Sequence, residues 1–306
     1  MIRLSLIIAT YNRAVPLLTA LQSVVEQSAP PLTWECVVVN NNSQDDTVAR
    51  FAAFAAQYPT CQLRLVTETN QGLSYARNRG ITESVGAYIA IIDDDERINP
   101  EFIASYIAFF DAHPAVASAG GRIIPSYPGG CPDWMSKYTE KPIANPIDWG
   151  TNVRDFPAGH IPGGGNMALR RTVVEKHGAF NPLLGRVGTK LIGGEESDLF
   201  ERLSKLGERC GYVPTAIMWH IIPPEKLTTD YFDRLCFNIG VSQLTRAALN
   251  HHHIRLVFLE WLKWFATAAL CVVYLLRLQP QKSAYLLRMR MKISQGILSA
   301  LTAKDL

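Results

Sequence analysis

Four consecutive acidic residues follow directly on an apolar run in the first third of the chain. The run Ala87 to Ile92 reads as a strand, and residues 93–96 read Asp-Asp-Asp-Glu. Adjacent carboxylates repel one another, so a fold that gathers them at a buried strand end is stabilised by a cation. Ligands made only of oxygen favour a hard divalent ion such as Mg²⁺ or Mn²⁺. A solvated acidic turn is the other interpretation.

Apolar runs alternate with helical patterns over the first 120 residues. Four runs read as strands, at residues 4–9, 34–39, 63–66 and 87–92, and a helical pattern follows each of them. Strands that alternate with helices pair in parallel through right-handed crossovers. The pattern therefore predicts an α/β fold with a mostly parallel open sheet flanked by helices. A further helix is predicted from Glu196 to Leu206.

Polar clusters stand at the ends of three of these predicted strands. They are Thr10-Tyr11-Asn12, residues 40–43 and the acidic run. In an open α/β sheet, ligands bind beyond the carboxyl ends of the strands. We therefore expect the three clusters to converge on one crevice.

The net charge of the chain is +3, but it is unevenly distributed. The segment from Arg277 to Leu306 carries +5, so the rest of the chain is net negative. A negative body argues against nucleic acid as a partner, and a basic tail points to an anionic membrane surface. The six cysteines show no paired spacing, which predicts reduced thiols in a cytoplasmic protein.

The last apolar stretch, Leu256 to Leu278, is long enough for a membrane span, although Glu260 and Lys263 interrupt it. The mixed apolar and basic segment from Tyr285 to Ile293 suggests a helix lying on anionic lipid. One span, a half-inserted hairpin and a hairpin packed on protein all remain open. We predict a domain over residues 1–250, with a nucleotide-binding half over about 1–120 and an acceptor half over about 121–250. Residues 251–306 are predicted to form a membrane-associated helical tail.

An ordered set of motifs between Ser5 and Pro223 resembles the inverting family 2 glycosyltransferases, which have a GT-A fold. The set opens with residues 7–13 and 39–45, continues with residues 70–80 and the acids at 93–95, and closes with residues 193–198 and Trp219-His220. Each fragment is weak alone, and their order makes the likeness strong. Two positions differ from the family pattern. Asn40 stands where an acid usually helps to hold the nucleoside, and Glu195-Glu196 replaces a Glu-Asp pair.

The resemblance implies a nucleotide-sugar donor, with UDP expected as the nucleotide, and a divalent ion, Mg²⁺ or Mn²⁺, as cofactor. Asp93 would meet the ribose, Asp95 would bind the metal with Asp94 beside it, and His220 would supply a further ligand. Asp93 is counted with both the nucleotide and the metal, and Asp94 is counted with the nucleotide. The remaining residues expected to bind the nucleotide are Thr10, Tyr11, Asn12, Arg13, Asn40, Asn42, Asn70, Gly72 and Arg77.

Transfer also needs a base to take the proton of the acceptor hydroxyl, and a carboxylate with a raised pKa suits that task. Glu196 is the first candidate, with Glu195 and Asp198 as alternatives. Acids at a helix N-terminus are also favoured by the helix dipole, whatever their function. The glycine run that ends in Gly164, Gly165 and Asn166 is expected to approach the sugar or acceptor closely, or else to form a simple turn.

These features together predict a metal-dependent inverting glycosyltransferase in cell-surface polysaccharide synthesis, with a saccharide or lipid-linked acceptor. We expect it at the cytoplasmic face of the inner membrane, and a homo-oligomer stays open. A non-catalytic membrane-bound nucleotide- or carbohydrate-binding protein is one alternative. A sugar-phosphate nucleotidyltransferase is another, although the loop after the first strand lacks the glycines and basic residues that hold a triphosphate. The same loop lacks the Gly-x-Gly-x-x-Gly of a Rossmann oxidoreductase.

Overall fold

The structure, a computed structural model, describes residues 1–188 and 191–302. Contacts divide the chain into two compact units, each built from three segments. The first unit comprises Met1–Ile124, Pro146–Leu183 and Glu195–Ile221. The second comprises Pro125–Asn145, Leu184–Gly194 and Ile222–Leu306, of which Thr189, Lys190 and residues 303–306 lie outside the described part. The predicted functional boundary at residue 250 stays a prediction.

One mixed sheet forms the centre of the first unit. Its strand order is β3-β2-β1-β4-β8-β6-β9-β5, and β7 pairs with β9. The strands are β1 Leu4–Thr10, β2 Trp34–Asn40, β3 Leu63–Thr67, β4 Tyr88–Asp93, β5 Glu96–Ile98, β6 Ser118–Ser126, β7 Arg154–Asp155, β8 Met167–Arg170 and β9 Cys210–Ile221.

Ten α-helices lie in the described residues. They are α1 Ala14–Val25, α2 Thr47–Ala55, α3 Leu73–Glu83, α4 Phe102–Ala112, α5 Lys137–Ala144, α6 Arg171–His177, α7 Glu195–Lys205, α8 Thr229–Leu249, α9 His253–Leu276 and α10 Pro280–Thr302. Of these, α5, α8, α9 and α10 belong to the second unit. The helix predicted from Glu196 to Leu206 is thus α7, one residue earlier at each end.

The predicted α/β class is confirmed, and the parallel pairing holds over the first four strands. β1 pairs in parallel with β2 and β4, and β2 pairs in parallel with β3. Beyond β4 the pairing reverses, because β8 runs antiparallel to both β4 and β6. β5 was not expected from the sequence. It begins at Glu96, the last of the four acids, and pairs antiparallel with β9.

Residues of β1 and β2 are buried at every position, because helices cover both faces of the sheet. Leu4, Leu6 and Ile8 of β1 pack into one hydrophobic cluster, while Ile7 and Ala9 pack into the cluster on the opposite face. Strands buried on both sides read as continuous apolar runs, which is why they stand out in the sequence. Their carboxyl ends share one edge of the sheet.

The second unit is helical, and α8 and α10 meet in it at two glycines. A Cβ atom at Gly240 would lie 2.0 Å from the backbone oxygen of Ile293, and one at Gly296 would lie 2.0 Å from that of Phe237. Only glycine permits two helix backbones to approach so closely. Among the described residues, α9 is the one helix long and apolar enough to cross a membrane.

Candidate active site

Asparagine side chains tie together the loops that follow β1 and β2. Asn12 has a left-handed backbone, with φ of 52°. Its backbone N–H donates to Ser43 Oγ at 2.9 Å, and its Oδ1 accepts from the N–H of Gln44 at 2.6 Å. Asn40, at the end of β2, accepts from the Ser43 N–H through Oδ1 at 3.0 Å. The two loops are therefore held against each other by side chains from both.

Asn41 extends this network to the loop after β3. Its buried amide donates to the backbone oxygens of Glu68 and Asn70 at 3.0 and 2.7 Å, and its Oδ1 accepts from the Gly72 N–H at 2.8 Å. Asn41 was not predicted to be a site residue, although it is the middle residue of the Asn40-Asn41-Asn42 run. A residue that saturates three backbone groups of a neighbouring loop fixes that loop.

The other residues predicted to bind the nucleotide lie in the same three loops. Asn42, with φ of 63°, donates to the backbone oxygen of Thr69 at 2.7 Å. Asn70 donates to the Glu68 carboxylate, and Tyr11 is half-buried in the first loop. Gly72, with φ of 149°, is the residue before α3 and adopts a conformation that favours glycine.

Arg13 and Thr10 hold the middle of the acidic turn. Arg13 Nε lies 3.1 Å from Asp94 Oδ1, and its Nη2 donates to Asp95 Oδ2 at 3.0 Å. Thr10 Oγ1 donates to Asp94 Oδ2 at 2.7 Å. Burial raises the pKa of Asp94 to about 7; Arg13 opposes that shift and the Asp95 charge adds to it. The acids of the turn thus repel one another, and the Arg13 guanidinium is a cation that stabilises them.

Glu96, the last of the four acids, is buried, and the resemblance implied no separate role for it. Its Oε2 accepts from the Asp93 N–H at 2.8 Å, and burial, together with the charges of Asp93 and Asp95, raises its pKa well above the usual range. A Cβ atom at Gly165 would lie 1.9 Å from Glu96 Oε1. Gly165 was expected to approach the sugar or acceptor, and in the structure its missing side chain makes room for Glu96.

The strand pairing brings His220 to the acidic turn, as its predicted role as a metal ligand requires. His220 on β9 is the register partner of Glu96 on β5, and it is half-buried. Within residues 1–188 and 191–302, however, no group of three or more His, Cys, Asp or Glu side chains is arranged to hold a metal ion.

The chemistry of this donor set nevertheless fits a hard divalent cation. Carboxylates of Asp93 and Asp95 stand on one turn, with an imidazole on the neighbouring strand. Guanidinium groups of Arg13 and Arg77 now balance those two carboxylates. A divalent ion bound there would take over part of that balance.

Arg77 connects the acidic turn with the start of α7. Its Nη2 donates to Asp93 Oδ1 at 2.8 Å and to the backbone oxygen of Gly164 at 3.2 Å, while its Nη1 donates to Glu195 Oε1 at 2.9 Å. The guanidinium also stacks over the ring of Phe180, 5.5 Å from its centroid. Because Arg77 is 1% exposed, contact with a diphosphate would require these ion pairs to rearrange. That predicted contact stays a prediction.

The three candidate bases occupy the first turn of α7 and differ in their surroundings. Glu195 is buried, and burial, reinforced by the charge and the side chain of the neighbouring Glu196, raises the pKa of Glu195 to about 8 despite Arg77. Asp198 is also buried, with Oδ2 3.4 Å from Arg202 Nε. Each is thus engaged by an arginine.

Glu196 is half-buried and lies against the glycine run. Its Oε1 is 3.3 Å from the position that a Cβ of Gly164 would occupy. The Oε2 atoms of Glu195 and Glu196 are buried and have no hydrogen-bond partner among the described residues. The Glu196 carboxylate therefore lies beside Gly164 with one oxygen that makes no hydrogen bond to the described residues.

Asn166, expected with Gly164 and Gly165 to contact the sugar or acceptor, is used within the fold. Its Oδ1 accepts from the Tyr106 hydroxyl at 2.5 Å, and its Nδ2 donates to the backbone oxygens of Arg122 and Ala216, both at 3.0 Å. The residue is fully buried. Its predicted contact with a ligand stays untested, whereas its role in joining α4, β6 and β9 is visible.

The sequence profile of glycosyl transferase family 2 matches residues 5–178, which is more than half of the chain. The chain belongs to glycosyl transferase family 2. This match covers the three asparagine-linked loops, Arg77, the acidic turn and the glycine run. The resemblance drawn from the motifs is thereby confirmed at the level of the family.

Three curated relatives of this family 2 member have names that refer to glycosyl transfer or polysaccharide synthesis. A glucosyl-dolichyl phosphate glucuronosyltransferase from Haloferax volcanii is 26% identical over 231 residues, covering 71% of this chain and 69% of the relative. Glycosyltransferase AglE of the same organism is 26% identical over 259 residues, covering 83% and 77%. The succinoglycan biosynthesis protein ExoO of Rhizobium meliloti is 28% identical over 223 residues, covering 70% and 60%.

Solved structures of glycosyltransferases share the fold. The mannosyltransferase PcManGT from Pyrobaculum calidifontis, in complex with GDP-Man and Mn²⁺, has a TM-score of 0.68 at 19% identity, covering 99% of this chain and 88% of that one. TarS of S. aureus in complex with UDP-GlcNAc has a TM-score of 0.53 at 19% identity, covering 79% and 66%. At these identities the likeness shows the GT-A fold alone.

Proposed function

We propose that this family 2 member is a metal-dependent inverting glycosyltransferase that uses a nucleotide sugar, with UDP as the expected nucleotide. One observation supports this most strongly: the Arg77 guanidinium contacts both Asp93 of the acidic turn and Glu195 of the candidate base pair. The group that would meet the donor and the group that would accept a proton are thus joined through one side chain. A solvated acidic turn would have no such partner.

The nucleoside would bind where the first two loops meet. Asn40 is buried at the end of β2, and its Oδ1 is already occupied by the Ser43 N–H. The remaining amide N–H groups would then donate to a base oxygen. That arrangement suits the O4 of uracil and equally the O6 of guanine, so Asn40 leaves the choice of nucleobase to experiment.

The cation would be held by Asp95 and Asp93, with His220 contributing from β9. A bound Mg²⁺ or Mn²⁺ would stabilise the negative charge that develops on the departing diphosphate. Arg13 holds Asp95 and Asp94 in place without it, and Arg77 does the same for Asp93.

Glu196 is the residue we propose as the base. The acceptor hydroxyl would lose its proton to this carboxylate while attacking the anomeric carbon on the face opposite the leaving group, which inverts the configuration. Glu195 and Asp198 are each paired with an arginine, whereas Glu196 Oε2 has no hydrogen-bond partner in the described residues. Arg77 positions Glu195, which is the neighbour of Glu196 in the first turn of α7.

The acceptor is proposed to be a saccharide or a lipid-linked saccharide in cell-surface polysaccharide synthesis. The names of the Haloferax dolichyl phosphate enzyme and of the succinoglycan protein support this class of acceptor. The long apolar helix α9 supports attachment to a membrane, which we place at the cytoplasmic face of the inner membrane with an anionic lipid surface.

Calorimetric binding of UDP to the detergent-purified protein, with and without Mn²⁺, tests the donor site. We expect UDP to bind in the presence of Mn²⁺ and the binding to be lost in Asp95→Ala. GDP titrated in parallel decides the nucleobase. Binding that ignores both the metal and the substitution would contradict the metal-dependent mechanism, and absence of binding by either nucleotide would contradict the donor assignment.

A further inference from the structure

Helix α9 carries its polar residues inward and its apolar residues outward. Glu260 and Thr267 are buried, and Trp264 Nε1 donates to Ser294 Oγ on α10 at 3.0 Å. The exposed large apolar side chains of α9 are Ile254, Val257, Phe258, Leu259, Trp261, Leu262, Phe265, Val272, Val273, Leu275 and Leu276. A helix on a water-exposed surface has the opposite pattern, with its polar face outward. This face of α9 is therefore suited to a non-aqueous surrounding.

Ion pairs inside the second unit account for the two charges that interrupt the apolar stretch. Glu260 Oε2 accepts from Arg290 of α10 at 2.9 Å, and Glu260 Oε1 accepts from Lys263 at 2.6 Å. Both glutamate oxygens are thus directed to partners within the helical unit. The outward face of α9 is left without an acidic residue.

Two basic residues of α10 also form ion pairs within the second unit. Arg288 donates to both carboxylate oxygens of Asp233 on α8, and Lys292 lies 3.4 Å from the same carboxylate. The sequence suggested that these residues meet anionic lipid directly. Both side chains pair with Asp233 of α8 and stay partly exposed, so that contact stays a prediction. Leu287, Met291 and Leu298 are also exposed on α10.

A membrane-crossing orientation of α9 conflicts with this packing. α10 packs against both α8 and α9, so it would accompany α9 into the bilayer. Arg288, Arg290 and Lys292 stand near the middle of α10, where a crossing would put them at the bilayer centre. Charges at that depth are costly. An orientation parallel to the membrane avoids the cost, because only the outward face of α9 enters the lipid.

We propose that α9 lies in the plane of a lipid bilayer's interface, with its outward apolar face among the acyl chains. The helix has 24 residues and is about 36 Å long. Arg255 and Arg277 are exposed near its two ends and would meet the lipid phosphates. Leu287, Met291 and Leu298 of α10 would extend the buried strip. This inference rests on the proposed membrane attachment and is independent of the donor chemistry.

Vesicle flotation of the full-length protein tests the lipid contact. Vesicles of phosphatidylcholine with a fraction of phosphatidylglycerol should bind the wild-type protein. Phe265→Asp, at a side chain that is 69% exposed, should weaken binding at least about tenfold, the value of burying one phenylalanine. Gln281→Asp, an exposed position at the start of α10, is the matched control and should keep it within about twofold.

A fluorescent label on Ile254→Cys, Phe265→Cys or Leu276→Cys then reports the depth of each position through quenching by brominated lipids, with the labelled wild-type protein as the blank. Equal depth at all three supports the in-plane helix. A central position deeper by about half of the hydrocarbon thickness, which is roughly 30 Å, would establish a span and overturn the proposal.

An oligomer that Phe265→Asp dissociates, with no vesicle binding by the wild type, would overturn the proposal in favour of a second copy of the chain as the partner of α9. UDP calorimetry on Phe265→Asp checks the donor site separately, so that failure of one proposal is not read as failure of the other.

Discussion

Arg77 Nη1 lies 2.9 Å from Glu195 Oε1, and both side chains are almost completely buried. Asp93 shares the same guanidinium at 2.8 Å. A buried ion pair is costly to break from one side, because the remaining charge is left without compensation. Arg77 therefore links the integrity of the first unit to the geometry of the candidate site.

Arg77→Met should lower the free energy of unfolding by about 3–5 kcal/mol at a pH above about 8, where Glu195 is ionised and would be buried without its cation. Arg79→Met is the matched control on the same helix, because its ion pair with Glu83 is exposed and should contribute less than about 1 kcal/mol. Denaturant unfolding of both variants measures the difference. Equal losses in the two variants would contradict the larger stabilisation that we expect from the buried ion pairs of Arg77. The double variant Arg77→Met/Glu195→Gln should recover part of the loss.

Stability should depend on pH through Glu195. Burial raises its pKa to about 8, so the folded protein binds this proton more tightly than the unfolded chain does. The contribution of this proton to the free energy of unfolding is complete below about pH 4.5 and is lost as the pH rises through about 8. The side chain of Glu195→Gln cannot ionise, so the variant does not lose this stability as the pH rises. Relative to the wild type, its free energy of unfolding should therefore increase by on the order of a few kcal/mol between pH 5 and 9. Parallel curves for the two proteins would refute this.

With the UDP-sugar that serves as donor, Glu196→Gln should reduce kcat by about 10²–10⁴-fold. The reason is that the amide cannot take the proton of the acceptor hydroxyl. The Kd for UDP should not change, since the residue would act on the acceptor side. Asp198→Asn, two residues further along α7, is the comparison. If that variant loses the larger part of kcat, Asp198 is the base instead.

Gly165→Ala should destabilise the protein by about 1–3 kcal/mol through overpacking. Its new Cβ would lie 1.9 Å from Glu96 Oε1, inside the acidic turn. Gly164→Ala is a graded control, because its Cβ would meet only the ends of Arg77 and Glu196 at 3.2 and 3.3 Å. Thermal unfolding compares the melting temperatures of the two variants. A larger loss of stability in Gly164→Ala would show that the acidic turn around Glu96 adjusts to a new Cβ more easily than the Arg77 side chain does.

Glu260→Met alone should cost about 3–5 kcal/mol, because Arg290 would remain buried without its carboxylate. The double variant Glu260→Met/Arg290→Met should return close to the wild-type value, since well-packed apolar residues replace a buried ion pair at little cost. Unfolding in detergent measures both. A double variant as unstable as the single one would indicate that the packing around Thr267, and not the charge, depends on this pair.

The strands that precede the site could be predicted because residues buried on both faces leave an unbroken apolar run. Thr10, Asn40 and Asp93, at the ends of those runs, converge as expected for parallel strands. The reversal at β8 could not be predicted, since Met167–Arg170 is four residues long and its partner is set by tertiary packing. The structural roles of Glu96 and Asn41 could not be predicted for a similar reason: they depend on Gly165 and on the backbone near Gly72, which are distant in sequence.

The loops joined by Asn12 and Asn41 also bear on the thermodynamics of ligand binding. Side-chain hydrogen bonds already fix the backbone near Ser43 and Gly72 in the free protein. A ligand that enters a surface ordered in advance spends little of its interaction energy on loop entropy. Nucleotide association should therefore occur with a small change in heat capacity, without the large negative value that accompanies coupled folding and binding.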